Sequence, residues 1–183
     1  MQSDRLIFMK VGDHASEPWD RILERKRREF ETAGLVFWGY GGSACHPINQ
    51  VQPFARLSVA QQGNIALVME PVNSKADPLL VPATEFSRDG VLWERLPKGI
   101  TVTGSRFAFI LGEIMPGDLD LQLAEYDVGI GPNRGRPAEL YLKGRTDKAC
   151  LVRTVSARPR GESSIHKVGY SANLKDPFAV LLR

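Results

Sequence analysis

Short apolar runs closed by glycine, proline and aspartate constrain this chain more than any other feature. The run 6–11 stops at Gly12-Asp13, the run 65–69 at Glu70-Pro71, and the run 107–114 at Met115-Pro116-Gly117-Asp118. The runs 149–155 and 178–182 are of the same kind. Each has the length of a buried strand rather than of a helix. Few helical stretches lie between them, so the crossovers that a doubly wound parallel sheet requires are missing. The expected class is α+β, a mixed curled sheet or small barrel with one long N-terminal helix and one short helix packed outside. At 183 residues the chain is read as a single domain over 1–183.

The long helix is predicted over 17–33. Ser16 is a suitable N-cap, Pro18 sits in the first turn, and Gly34 is the left-handed stop. Trp19, Ile22, Leu23, Phe30 and Ala33 recur at helical spacing and form the covering face. The opposite side carries Arg21, Arg25, Lys26, Arg27 and Arg28. Arg21, Arg25 and Arg28 share one stripe. Glu17 with Arg21, and Glu24 with Arg28, are favourable pairs four residues apart. The stripe is therefore either a solvated, ion-paired face or a track for phosphates. The short helix is predicted near 138–143. The segment 50–57 contains Pro53 and is expected as a loop or an edge, and 73–85 as a long surface loop.

The densest group of unusual residues is 36–47, Val-Phe-Trp-Gly-Tyr-Gly-Gly-Ser-Ala-Cys-His-Pro. It reads as a buried strand entering a glycine loop. Strand alternation puts Phe37 and Gly39 on one face and Trp38 and Tyr40 on the other. Gly39, Gly41 and Gly42 allow a ligand to approach the backbone, and consecutive amides there suit an anion. A tight turn whose glycines serve packing is the alternative. No Walker or Rossmann spacing is present. Cys45-His46 has the residues of a nucleophile and a base, but sequence neighbours usually point apart, and Cys45 is expected to pack. A second glycine loop, 129–137, places Arg134 and Arg136 where a phosphate or carboxylate is easily held.

Net charge is +3, mild enough for a neutral-ligand enzyme or a nucleic-acid binder. Two cysteines, Cys45 and Cys150, are too few for a disulfide framework. With His14, His46 and His166 they show no metal-ligand spacing, so no metal and no cofactor is expected. No run reaches the ~20 apolar residues that span a bilayer. The first residues carry no leader signature, and the expectation is a cytoplasmic protein without a membrane partner.

The order of strand, basic helix, aromatic strand and further short strands resembles the PUA-like barrels, including the EVE and ASCH domains. The residues that carry it are Phe8-Met9-Lys10-Val11-Gly12, the helix to Gly34, and Phe37-Trp38-Gly39-Tyr40. This resemblance implies a pseudo-barrel that binds RNA or a modified base in an aromatic cleft. The segment Val36-Phe37-Trp38-Gly39-Tyr40-Gly41-Gly42-Ser43, with Pro47, is also similar to the glycine loop of gamma-glutamylcyclotransferases. That resemblance implies a loop holding a gamma-glutamyl group and a buried acid, for which Glu70, Glu94 and Glu113 are the candidates.

The favoured expectation is a module binding nucleic acid or a nucleotide. Arg21, Arg25 and Arg28 would contact phosphates. Trp38, Tyr40, Gly41, Gly42, Ser43, His46, Arg134 and Arg136 would line the ligand site. A small acid–base enzyme and a domain docking a protein partner through 73–85 are the alternatives.

Overall fold

The first strand shows why this chain becomes a sheet with two covered faces. In β1 (Arg5–His14) the residues Leu6, Ile7, Phe8 and Val11 are all buried. Alternate side chains leave a strand on opposite sides, so the sheet needs a core on each. Ile7 and Val11 enter one cluster, Leu6 and Phe8 another. The computed structural model describes residues 3–14, 16–40, 46–76, 81–143, 146–154 and 165–183.

The chain continues through α1 (Trp19–Ala33), β2 (Val36–Gly39), α2 (Ile48–Gln62), β3 (Ala66–Ala76), β4 (Glu85–Ser87), β5 (Glu94–Arg95), β6 (Phe107–Leu111), β7 (Met115–Gln122), β8 (Tyr126–Val128), α3 (Ala138–Tyr141), β9 (Lys148–Arg153) and β10 (Ile165–Leu182). The main sheet path runs β2-β6-β10-β3-β1-β9-β8. It is mixed: β1 and β3 pair in parallel, with Ile7 opposite Leu67, whereas β1 and β9 are antiparallel. The α+β class and the mixed sheet are as expected. Strand β10 serves both halves of the sheet. Its first part pairs with β3 and β7, its last part with β6 and β4. Its register with β6 shifts between Leu174 and Ala179, and Phe178 there has a φ of 70°. Such an irregularity bends a strand and raises its local twist.

The helices correct the sequence reading. Gly34 does close α1, with φ 72° and its N–H donating to Phe30 O. Its N-cap is Pro18 rather than Ser16, and the Asp13 carboxylate accepts from Trp19 N–H at 3.1 Å. The helix α1 has an equal partner, because 48–62 is also a helix of 15 residues. Pro53 lies inside it, at a position costing about 3 kcal/mol in a helix interior. Burial of Val51, Phe54 and Ala55 beneath the sheet outweighs that cost, since each large apolar side chain contributes about 1.5–3 kcal/mol. Their spacing, with Ser58, is helical, and the proline obscured it.

Three clusters fill the interior. One lies between the sheet and the helices α1 and α2, and includes Trp38, Tyr40, Phe54, Phe109 and Cys150. A second covers the far side of β1, β3 and β9 with α3 and Tyr126. The third packs Phe37, Phe86, Ile110 and Val180 against the other side of β2 and β6. A turn over 87–90 is as the residues Ser-Arg-Asp-Gly suggest, and it runs on to 92, with Asp89 Oδ1 accepting from Val91 and Leu92 N–H at 2.7 and 3.0 Å; of 91–96, a strand candidate by sequence, only Glu94–Arg95 is strand. The start of 73–85, expected as a surface loop, is instead the end of β3.

Candidate functional site

Two glycines bring the second glycine loop against α2. A Cβ on Gly129 would lie 2.9 Å from Phe54 Cε2, too close for a real side chain. A Cβ on Gly131 would lie 3.2 Å from His46 Nδ1 and 3.4 Å from Gln50 Oε1, and Gly131 has a φ of 78°. The loop can thus rest directly on the start of α2 only as glycine. Its own backbone closes on β8: Gly135 N–H donates to Val128 O at 2.8 Å, and Val128 N–H donates to Arg136 O at 2.9 Å. Arg134 and Arg136 project from this fixed turn and are exposed.

The other wall comes from the end of β2 and the start of α2. Tyr40 is fully buried, its ring 4.3 Å from that of Phe109 and 5.3 Å from that of Phe107. The Lys148 ammonium sits 5.5 Å from the Tyr40 ring centre, and Lys148 is itself buried. A cation over an aromatic face is attracted by the ring quadrupole. Six residues on, His46 is buried and stacks on Tyr141, with ring centres 6.2 Å apart and planes within 11°. Burial pushes the His46 imidazole below its ordinary range, so the ring is neutral at pH 7. Its Nε2 and Gln50 Oε1 are buried without a hydrogen-bond partner. Helix α2 begins beside them with no side-chain cap and no acid in its first turn. The amides of a first helical turn lack intrahelical partners and carry partial positive charge.

Of the residues singled out by sequence, the structure gathers Tyr40, His46 and the Arg134/Arg136 loop around one junction. Gly41, Gly42 and Ser43, together with Cys45, lie outside the described residues. Trp38 alternates with Phe37 as expected, but β2 has a core on both sides. Trp38 is buried, donates from Nε1 to Met9 Sδ at 3.4 Å, and meets Trp19 edge-on at 5.9 Å. Neither Trp38 nor Tyr40 offers an exposed ring face. Alternation located the two faces, but the sequence could not show that both are covered.

Arg21, Arg25 and Arg28 of α1 are engaged in ion pairs. Arg21 and Arg28 both meet Glu24 on the exposed side. Arg25 is half-buried, binding Glu17 through two nitrogens, Glu29 at 3.2 Å and Thr101 O at 3.0 Å. Lys26, expected on the polar face, is buried with Glu29. Its ammonium donates to both Glu29 oxygens at 2.9 Å, to Phe37 O at 2.6 Å and to Thr101 O at 2.9 Å.

The three candidate acids separate. Glu94 is exposed on β5. Glu113 is exposed beside a pocket of about 170 Å³ lined by Leu23, Arg27, Phe30 and Tyr170. Glu70 is half-buried and its Oε2 lies 2.8 Å from His166 Nδ1, with Phe8 edge-on to that imidazole at 5.6 Å. Among the described residues no three His, Cys, Asp or Glu side chains converge as metal ligands. Gln50, Tyr141 and Lys148 were not foreseen. The apolar spacing of Val51, Phe54, Ala55 and Ser58 is the signal that finds α2, and with α2 it places Gln50 one turn from His46.

Comparison with protein-family models, with curated proteins and with solved structures finds no match for this chain. No helix among the described residues is long and apolar enough to cross a membrane.

Proposed function

We propose that the protein binds a nucleotide, free or within a nucleic-acid strand, at the junction of its two glycine-rich loops. The observation that supports this reading is the seating of the Gly131 loop on the start of α2. It sets the exposed Arg134 and Arg136 beside an uncapped helix N-terminus and a buried, neutral His46 with an unpartnered nitrogen. Helix N-termini and arginines are suited to phosphate, and buried polar atoms to the uncharged part of a ligand. Gly41, Gly42 and Ser43 stay in the site on sequence grounds. The exposed Arg21 and Arg28 extend the cationic surface for a longer strand, while Tyr40 and Trp38 support the wall from behind. In this reading β10 curls the sheet toward the pseudo-barrel of PUA-like domains, and the protein works in the cytoplasm.

The test is fluorescence anisotropy with labelled single-stranded RNA and DNA and with a labelled mononucleotide, across about 50 to 200 mM salt. Strand binding that weakens steeply with salt, and is lost in an Arg134→Ala, Arg136→Ala double variant, supports the reading. No binding of any probe at the lowest salt removes it.

One observation favours a second reading, a small acid–base enzyme of the gamma-glutamylcyclotransferase kind. Glu70 alone of the three candidate acids has an imidazole partner, and such pairs serve proton transfer. Turnover of a gamma-glutamyl peptide that disappears in Glu70→Gln would establish it, and absence of turnover in the parent protein would eliminate it.

A further inference from the structure

The buried ends of His46 and Gln50 stand out because two unpartnered polar atoms fall within one helical turn of each other in the chain. Lys26, Glu29, Ser58 and Ser87 all have partners within the chain. His46 is only 5% exposed, yet its Nε2 meets no acceptor or donor, and the same holds for Gln50 Oε1. Buried polar atoms in folded proteins are nearly always paired, and those left unpaired are retained for a reason. The two atoms belong to one unit of structure. His46 immediately precedes the N-cap Pro47, and Gln50 N–H donates back to Pro47 O at 2.9 Å. Both side chains meet the same point of the opposing loop, since a Cβ on Gly131 would touch His46 and Gln50 at once. Tyr141, stacked nearly parallel to His46, holds the imidazole from its other environment.

The chemistry of the pair is specific. An amide oxygen accepts only, while a neutral imidazole nitrogen donates or accepts according to its tautomer. Neither atom carries the charge that phosphate attracts. They complement an uncharged planar edge with a hydrogen-bond donor beside a second polar atom, which is the edge that a nucleobase presents. The exposed cations beside the pair, Arg134 and Arg136, lie on the opposing loop, while Lys148 is buried and paired with Asp147 at 3.3 Å. Recognition is therefore divided, with charge on the loop and neutral hydrogen bonding on the first turn of α2.

We propose that His46 and Gln50 are the specificity-determining pair of this site and read the hydrogen-bonding edge of the base. The inference rests on the nucleotide reading above. It replaces Trp38 and Tyr40 as the base contacts, because Trp38 Nε1 already donates to Met9 Sδ and the Tyr40 ring packs on Phe107 and Phe109, whereas His46 and Gln50 each keep an unpartnered polar atom. A site whose buried polar groups await a partner rejects the ligand that lacks it more strongly than an apolar pocket rejects an extra group. The base should therefore add to affinity through these two side chains and through little else.

The experiment is calorimetric titration with the four ribonucleoside monophosphates and with ribose phosphate, which lacks a base. It uses the full chain and its Gln50→Leu, Gln50→Met and His46→Phe variants. In the parent protein at least one monophosphate should bind about tenfold tighter than ribose phosphate, roughly the margin of one specific hydrogen bond. Gln50→Leu should erase that margin and leave ribose phosphate affinity unchanged. Circular dichroism confirms folding, and Gln50→Met, which keeps the length of the side chain but removes the amide oxygen, decides the matter if Gln50→Leu does not fold. A margin that survives both Gln50 and His46 substitutions overturns the inference, and so does a parent protein that binds ribose phosphate as well as any nucleotide. Both of those outcomes leave phosphate recognition standing. Failure of every compound to bind, ribose phosphate included, refutes the nucleotide reading and this inference together.

Discussion

Replacing Lys26 by methionine should cost more stability than any surface change on α1. The ammonium fills four positions in the interior: two on Glu29 and one each on Phe37 O and Thr101 O. Methionine matches the aliphatic stem and leaves no large cavity, so the loss is electrostatic. Glu29, only 1% exposed, would keep Arg25 Nη1 at 3.2 Å and Thr101 N–H at 3.1 Å but lose its closest cation. Removing one partner of a buried ion pair typically costs about 3–5 kcal/mol, whereas removing both is often close to neutral. With a urea m-value of about 2 kcal/mol per molar, the midpoint of Lys26→Met should fall by roughly 2 M. The double variant Lys26→Met, Glu29→Leu should recover at least half of that, a coupling of about 2 kcal/mol or more. The same network has a pH signature. Burial, ahead of the attraction to Glu29, brings the Lys26 pKa down from 10.5 to about 8. Between those values the unfolded chain binds the proton and the folded chain releases it, so this group makes stability rise with pH. Lys26→Met should remove that rise. A loss below about 1 kcal/mol, or single effects that simply add, would refute the reasoning.

Other predictions follow from the same contacts. Arg25→Ala should cost about 1–3 kcal/mol by uncoupling Glu17, Glu29 and Thr101, while Arg21→Ala and Arg28→Ala should leave the urea midpoint unchanged; equal effects would mean that Arg25 is a surface residue like its neighbours. Gly131→Ala should lower stability by about 1–2 kcal/mol, because a left-handed φ is strained for alanine and its Cβ presses on His46. It should also displace the loop that carries Arg134 and Arg136, read as weaker nucleotide binding. Burial pushes the Cys150 thiol well above its ordinary range, so peptide mapping after alkylation near pH 8 should find Cys150 unmodified in native protein and modified in urea.

The helix α1 was legible because its apolar residues recur at helical spacing and Gly34 stands where only a left-handed residue closes the last turn. The buried runs of β1, β3 and β6 were legible for the analogous reason, and so was the alternation of Phe37 with Trp38. Helix α2 was hidden by Pro53, whose local penalty is overridden by packing that involves residues far away in the chain. The long strand β10 was hidden because Asp176-Pro177 interrupts it locally, while its two halves find partners in different parts of the sheet.

For the site, the sequence by itself determined the ingredients: two glycine loops, an aromatic strand, a histidine and two arginines in a turn. It could not determine exposure. A strand such as β2 alternates its side chains identically whether one face or both are covered, and only a cluster on each side shows that Phe37 and Trp38 are both enclosed. Nor could it rank the cations of α1, since a basic stripe and an ion-paired stripe share one spacing until Thr101 and Phe37 arrive from elsewhere in the chain. The meeting of Gly131 with His46 and Gln50 is of this kind too. It spans some eighty residues and depends on loop and helix being packed together, which local sequence preferences do not encode.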